Sequence, residues 1–212
     1  MIINYYGNKN SINVLIQMVD DHDLEVIKSE VTTIESVTTD FCLITVKVND
    51  WNHDLSPWKA DAVFGNEDFT GGASETLQEI LELCSDKSKH YYIGGYSLSG
   101  LFALWAAYQT DVFEGVAAAS PSVWFPGFIE YMIDTHIKCN KVYLSLGDKE
   151  SKTRNPIMAT VADKIREAYN NLKASGVDSI LEWNQGNHFK EPGIRTGKAF
   201  AWLLRNIFME DI

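Results

Sequence analysis

The chain has 212 residues, 45% of them hydrophobic and 12% aromatic, with a formal net charge of -11. That length supports one sizeable core and is short for two ordinary domains, so residues 1–212 read as a single domain. A chain this acidic, with a pI near 4.8, repels phosphate backbones and anionic membrane surfaces, which argues against both as partners.

No apolar run approaches the ~20 residues of a membrane span. The first residues lack the basic and then apolar pattern of a secretory leader. Cys42, Cys84 and Cys139 are odd in number, widely spaced and form no CxxC pair, which argues against a disulfide framework or a zinc site. A reducing cytoplasm is the expected compartment, with no metal at the site.

Taken in chain order, short apolar runs alternate with longer amphipathic stretches. The runs are VLIQMV (14–19), FCLITVKV (41–48), HYYIGG (90–95), GVAAAS (115–120), KVYLSLG (141–147) and SILEW (179–183). Most are continuously apolar, as strands buried on both faces of a mostly parallel sheet require. The spacing predicts a helix over 74–84 capped by Ser74, with Leu77, Ile80, Leu81 and Cys84 on one face. Residues 99–109 read as a helix buried against the sheet. A third helix is predicted over 156–174, capped by Asn155, with Pro156 at its first position and Ile157, Val161, Ile165, Ala168 and Leu172 as its stripe. A last helix is predicted over 195–208. This alternation predicts a doubly wound α/β fold, whose ligands bind at the carboxyl ends of the strands.

The strongest local signal is YYIGGYSLSGLFALWAA (91–107). An apolar strand runs through Gly95-Tyr96-Ser97-Leu98-Ser99-Gly100 directly into a helix. A sharp strand-to-helix turn that presents a nucleophilic serine needs small residues two positions to either side. Gly95 meets the first demand. Ser99 stands where glycine is usual, and Gly100 follows it. Ser97 is therefore the candidate nucleophile. Ser99 is the weaker rival, because it lies inside the helix start.

A serine hydroxyl needs a positioned base, and with a turn of this kind the base follows the serine along the chain. Only His136 and His188 qualify. His136 lies in the helix-like FIEYMIDTHIK, whereas His188 follows the last predicted strand in EWNQGNHFKEP. His188 is the candidate base. The acid belongs to the loop after KVYLSLG, where Asp148 and Glu150 compete. Its role is to hold the imidazole tautomer and stabilise the imidazolium. An oxyanion hole needs two donors. The N–H of Leu98 supplies one, and the N–H of Trp51, in the loop after FCLITVKV, is the candidate for the other. Trp51 and Trp58 either wall the acyl pocket or cover the edge of the core. His53, in the same loop, is not assigned a catalytic role.

These residues resemble the compact α/β hydrolases with little or no cap, the esterase group that includes S-formylglutathione hydrolases and siderophore esterases. GGYSLSGLFALWAA, SPSVWFPG, VYLSLGDKE and GNHF carry the likeness over roughly 90–208, with DWNHDLSPW as an earlier anchor. Ser99 in place of glycine and a short N-terminal part depart from the pattern. The resemblance implies an α/β-hydrolase fold with a minimal cap and a Ser–acid–His triad on Ser97, Glu150 or Asp148, and His188, with no metal or organic cofactor. Such hydrolases commonly place the acid third after the glycine, which favours Glu150 and leaves Asp148 to structure the turn. The expected activity is hydrolysis of a small acyl ester or thioester. Acyl transfer by the same residues, or binding by an inactive hydrolase fold, are the alternatives.

Overall fold

The computed structural model describes residues 2–205. Seven strands form one sheet: β1 (Ile2–Gly7), β2 (Asn13–Val19), β3 (Cys42–Lys47), β6 (His90–Tyr96), β7 (Phe113–Ala119), β8 (Lys141–Gly147) and β9 (Asp178–Asn184). Their order across the sheet is β1-β3-β2-β6-β7-β8-β9. The β1–β3 pair is antiparallel and every other pair is parallel. The short strands β4 (Lys59–Ala60) and β5 (Phe69–Thr70) make a separate ladder. Among the described residues, no helix is long and apolar enough to cross a membrane.

Five of the six apolar runs fall in interior strands, where both faces are covered, whereas SILEW falls in the edge strand β9 and is mostly half-buried. Every residue of β2 is buried. Alternation decides which face each side chain serves. Leu15, Leu43, Tyr92, Ala117 and Tyr143 point toward α1 (Asp21–Glu35) and α7 (Pro192–Arg205). Val14, Ile16, Ile93, Val116 and Leu144 join the larger core on the opposite face. That core includes α3 (Ala73–Leu83), α4 (Leu98–Gln109), α5 (Phe128–Asp134) and α6 (Val161–Ala174). In α4, only Gln109 escapes burial. Burying each of its leucines and its phenylalanine contributes about 1.5–3 kcal/mol, which makes α4 the anchor of this face.

The differences from the sequence reading have local causes. The helix expected over 74–84 starts one residue earlier and is preceded by Gly72, with no side-chain cap, so Ser74 does not cap it. Asn155 does cap a turn, its Oδ1 accepting from the Ile157 and Met158 amides at 3.0 and 3.1 Å. That turn leads into a 3-10 segment, Met158–Thr160, and α6 begins only at Val161, which leaves Ile157 exposed. The last helix begins at Pro192, and its expected end at 208 lies outside the described residues. Helix α1 is absent from the sequence reading because its buried stripe is only Ile27, Glu30 and Ile34. Strand β1 is absent from it because this edge strand is half exposed.

Helices α1 and α7 pack backbone to backbone through glycine. A Cβ on Gly193 would lie 2.7 Å from the Val26 carbonyl oxygen, and one on Gly197 would lie 2.7 Å from that of Glu30. Glycine inside a helix costs about 1 kcal/mol relative to alanine, and the close approach offsets it. Glu30 is buried in this seam. Its Oε2 accepts from Gln17 Nε2 at 3.3 Å, and its Oε1 has no partner. No cation pairs with it among the described residues. Burial pushes its carboxyl well above the ordinary 4.5, against a smaller opposing effect of the Gln17 hydrogen bond.

The folded chain therefore keeps a proton on Glu30 at pH values where the unfolded chain has released it, so stability falls as pH rises above 4.5. Glu30→Gln should leave Tm nearly unchanged at pH 5 and raise it by about 3–6 °C at pH 8. Thermal melts of both proteins at the two pH values check this, and equal differences at both would contradict it.

Candidate active site

The candidate residues lie at the carboxyl ends of β6, β8 and β9, where an open α/β sheet presents its loops. Ser97 sits between β6 and α4 with φ 58° and ψ -121°, a strained conformation for a residue with a side chain. In the run 91–100 it is the one residue that is not buried. The turn closes because its neighbours are small. A Cβ on Gly95 would lie 1.9 Å from Ser99 Oγ, and one on Gly100 would lie 2.9 Å from the Gly95 carbonyl oxygen. The end of β7 holds the turn from outside, with the Ser97 amide donating to Ala119 and the Ser122 amide donating to Ser97. Ser99 is fully buried and its Oγ donates to the Met18 carbonyl at 2.7 Å, tying α4 to β2. That bond explains a serine in place of the usual glycine and leaves Ser99 facing away from solvent.

The structure brings Ser97, His188 and Glu150 into one line. His188 Nε2 lies 3.1 Å from Ser97 Oγ, and His188 Nδ1 lies 2.7 Å from Glu150 Oε2. With Nδ1–H donating to the carboxylate, Nε2 is left to accept from the serine hydroxyl. Tyr96 braces the histidine. Its hydroxyl donates to the His188 carbonyl at 2.7 Å, and the two rings lie 5.0 Å apart. Burial and the nearby Glu150 charge push the Tyr96 phenol up to about 12, so it stays a neutral donor.

The Glu150 side chain is only 4% exposed. Its Oε1 accepts from the Gly147 amide at 2.6 Å, from Ser120 Oγ at 2.7 Å and from Arg195 Nη1 at 2.9 Å. Burial alone would raise its carboxyl. The His188 hydrogen bond and charge outweigh this, helped by Ser120 and Gly147, and hold it below 4.5. Asp148, the competing acid, is directed elsewhere. Its Oδ1 accepts from the Gly186 amide at 2.7 Å, and its own amide donates to Asn184. It fastens the β8 loop to the loop that carries His188.

A cavity of about 560 Å³ opens beside Ser97 and His188. Trp51, Tyr96, Phe189 and Pro192 line it, along with Asp20, His22, Asp23 and Glu25 at the start of α1. Leu98 is the first residue of α4 and Trp51 the first of α2 (Trp51–Asp54), so both present first-turn amides with no helical acceptor. Trp58 does not line this cavity. It packs against Phe125, Phe128 and Tyr131, so of the two readings left open for it, covering the core edge is the one observed. His136 is exposed beyond α5, and His53 pairs with Thr70 Oγ1 at 2.6 Å. The sequence reading took FCLITVKV as the strand before the donor loop. It is β2, however, that pairs with β6, which sets Asp20, the N-cap of α1, on the same cavity as Ser97. Arg195 escaped the sequence reading altogether.

No protein-family model matches the chain, and no curated protein matches it significantly. Solved structures do. An IroE-like serine hydrolase from Shewanella oneidensis aligns over 96% of this chain and 75% of its own, with a TM-score of 0.75 and 13% identity. The siderophore hydrolase EstB from Aspergillus nidulans aligns over 96% and 89%, with a TM-score of 0.66 and 15% identity. The Bacillus cereus carboxylesterase aligns over 94% and 92%, with a TM-score of 0.60 and 15% identity. The chain has the α/β-hydrolase fold. At these identities the likeness is one of fold.

The two acidic residues of the β8 loop should separate cleanly. Glu150→Gln should lower kcat on an activated ester by roughly 10³–10⁴-fold, because the amide no longer fixes the imidazole tautomer. Asp148→Asn should cost less than about tenfold, because it weakens only a loop tie. Steady-state kinetics of both variants check this, and the opposite ranking would contradict it.

Proposed function

We propose that this protein is a serine hydrolase of small carboxylic esters or thioesters. The hydrogen-bonded line from Ser97 through His188 to Glu150, ending at a solvent-accessible cavity, carries the reading. Ser97 Oγ attacks the acyl carbonyl while His188 Nε2 takes its proton. The developing oxyanion is received by the Leu98 amide and by a second donor on the rim formed by Trp51 and the start of α1. Each such donor is worth roughly 3–4 kcal/mol to the transition state. His188 then returns the proton to the leaving alcohol or thiol. Water, activated by the same imidazole, attacks the acyl-enzyme, and the carboxylic acid leaves as Ser97 regains its proton. Glu150 keeps its charge throughout and stabilises the imidazolium. The three free cysteines fit a reducing, cytoplasmic setting.

The lining of the cavity bears on the substrate. It carries Asp20, Asp23 and Glu25 and, among the described residues, no lysine or arginine. Burial, with the Asp20 charge adding to it, pushes the Asp23 carboxyl up to about 7, so the pocket gains negative charge as pH rises through neutrality. Neutral acyl groups suit this lining and anionic ones do not. The siderophore hydrolases among the structural neighbours are therefore a guide to fold more than to substrate.

Two measurements test this. Ser97→Ala should lower kcat/KM on p-nitrophenyl butyrate by at least roughly 10³-fold, and retention of full activity would overturn the assignment. The wild type should prefer that neutral ester to the p-nitrophenyl half-ester of succinate by more than about tenfold, because like charges repel in the pocket. Equal or reversed preference would overturn the substrate class.

A further inference from the structure

We propose that Arg195 is a positioning residue for the acid–base pair, its guanidinium holding the Glu150 carboxylate toward His188 and its hydrogen bonds fixing the loop that carries His188. The inference rests on the hydrolase reading above.

Arg195 lies on α7 and is 2% exposed. Each of its partners belongs to the site. Nη1 donates to Glu150 Oε1 at 2.9 Å, to Tyr96 Oη at 3.1 Å and to Ser120 Oγ at 3.2 Å. Nη2 donates to the carbonyls of Asn187 at 3.1 Å and Gln185 at 3.4 Å, on the loop that ends in His188. The guanidinium therefore joins the β8 loop, the β6 end and the histidine loop from below. Planar multidentate donation of this kind is specific to arginine, and lysine cannot reproduce it. The backbone leaves room for it. A Cβ on Gly147 would lie 3.0 Å from Nη1 and 2.4 Å from the Gly186 carbonyl oxygen.

Packing alone does not account for a buried cation here. Taking a charge out of water is costly unless a counter-charge meets it, and an apolar side chain would fill the space without that cost. The electrostatic surroundings of His188 supply a reason. Glu150 faces its Nδ1, and Asp20, Asp23 and Glu25 line the same cavity from α1, with His22 beside them. Tyr96 faces the ring from β6, while Asp148, Lys149, Lys190 and Glu191 flank it on the two loops. Arg195 binds the carboxylate oxygen that His188 does not use. It counters the Glu150 charge that faces the ring and holds the carboxylate in line with Nδ1, so its removal should favour the imidazolium.

The test follows the His188 ring by NMR through a pH titration and, in parallel, the acid limb of kcat/KM, in wild type, Arg195→Met and Arg195→Lys. Circular dichroism establishes that each variant is folded. In Arg195→Met, the His188 midpoint and the acid limb should both move up by about one pH unit. In Arg195→Lys, which keeps the charge, they should stay close to wild type while kcat falls, because the ties to Gln185 and Asn187 are lost. An unmoved or lowered midpoint in Arg195→Met, or an equal shift in Arg195→Lys, overturns the proposal. If Arg195→Met does not fold, the guanidinium ¹⁵N resonances of Arg195 in the wild type decide. They should shift with the same midpoint as the His188 ring, and a flat response overturns the proposal. Absence of esterase activity in the wild type would remove the hydrolase reading, yet the ring titration would still decide the coupling of Arg195 to His188.

Discussion

A buried carboxylate organises this molecule's working end. Glu150 is held out of water, where an unpaired charge is not tolerated, so each of its lone pairs must be met. The Gly147 amide, the Ser120 hydroxyl, the Arg195 guanidinium and the His188 imidazole meet them. Satisfying that one group fixes much else. Gly147 must lack a side chain, Ser120 takes a positive φ of 44° and the loop after β9 must close over β8. The same set of bonds that makes the charge tolerable also sets the direction of His188. Stability and chemistry are thereby coupled at one point.

The second constraint is the turn at Ser97. Its strained backbone is affordable because β6, α4 and the end of β7 are all rigidly packed around it. Small residues make that packing possible, and each does so against a different neighbour. Gly95 makes room for Ser99, Gly100 for the Gly95 carbonyl, and Ser99 itself reaches β2. The apolar core beneath α4 keeps the turn from relaxing, so the hydroxyl stays at the mouth of the cavity.

Features whose cause is local could be read from the chain. The run 91–107 forms a strand, a turn and a helix because glycine spacing and continuous apolarity dictate it, and the structure places Ser97 at that turn. The loops after the last strands were also legible, and the structure brings His188 from one of them to Glu150 from another. Glu150 and Asp148 differ by two positions in one loop, and only the closing geometry shows which carboxylate turns toward His188 and which toward Gly186. Long-range features were not legible. Nothing in VLIQMV or FCLITVKV says that β2, not β3, pairs with β6, because both are predominantly apolar. Helix α1 was hidden by the polarity of its surface, although it supplies the acidic wall of the cavity. Arg195 was hidden because it interrupts an ordinary helix stripe, and its partners are up to 99 positions away.

The central claim is that Ser97 is activated as a nucleophile by His188. Reaction with a fluorophosphonate probe, followed by peptide mass mapping, tests it most directly. The account predicts stoichiometric modification at Ser97 that is lost in His188→Ala. Modification at Ser99 or Ser122 instead, or no modification of the folded wild type, would contradict it.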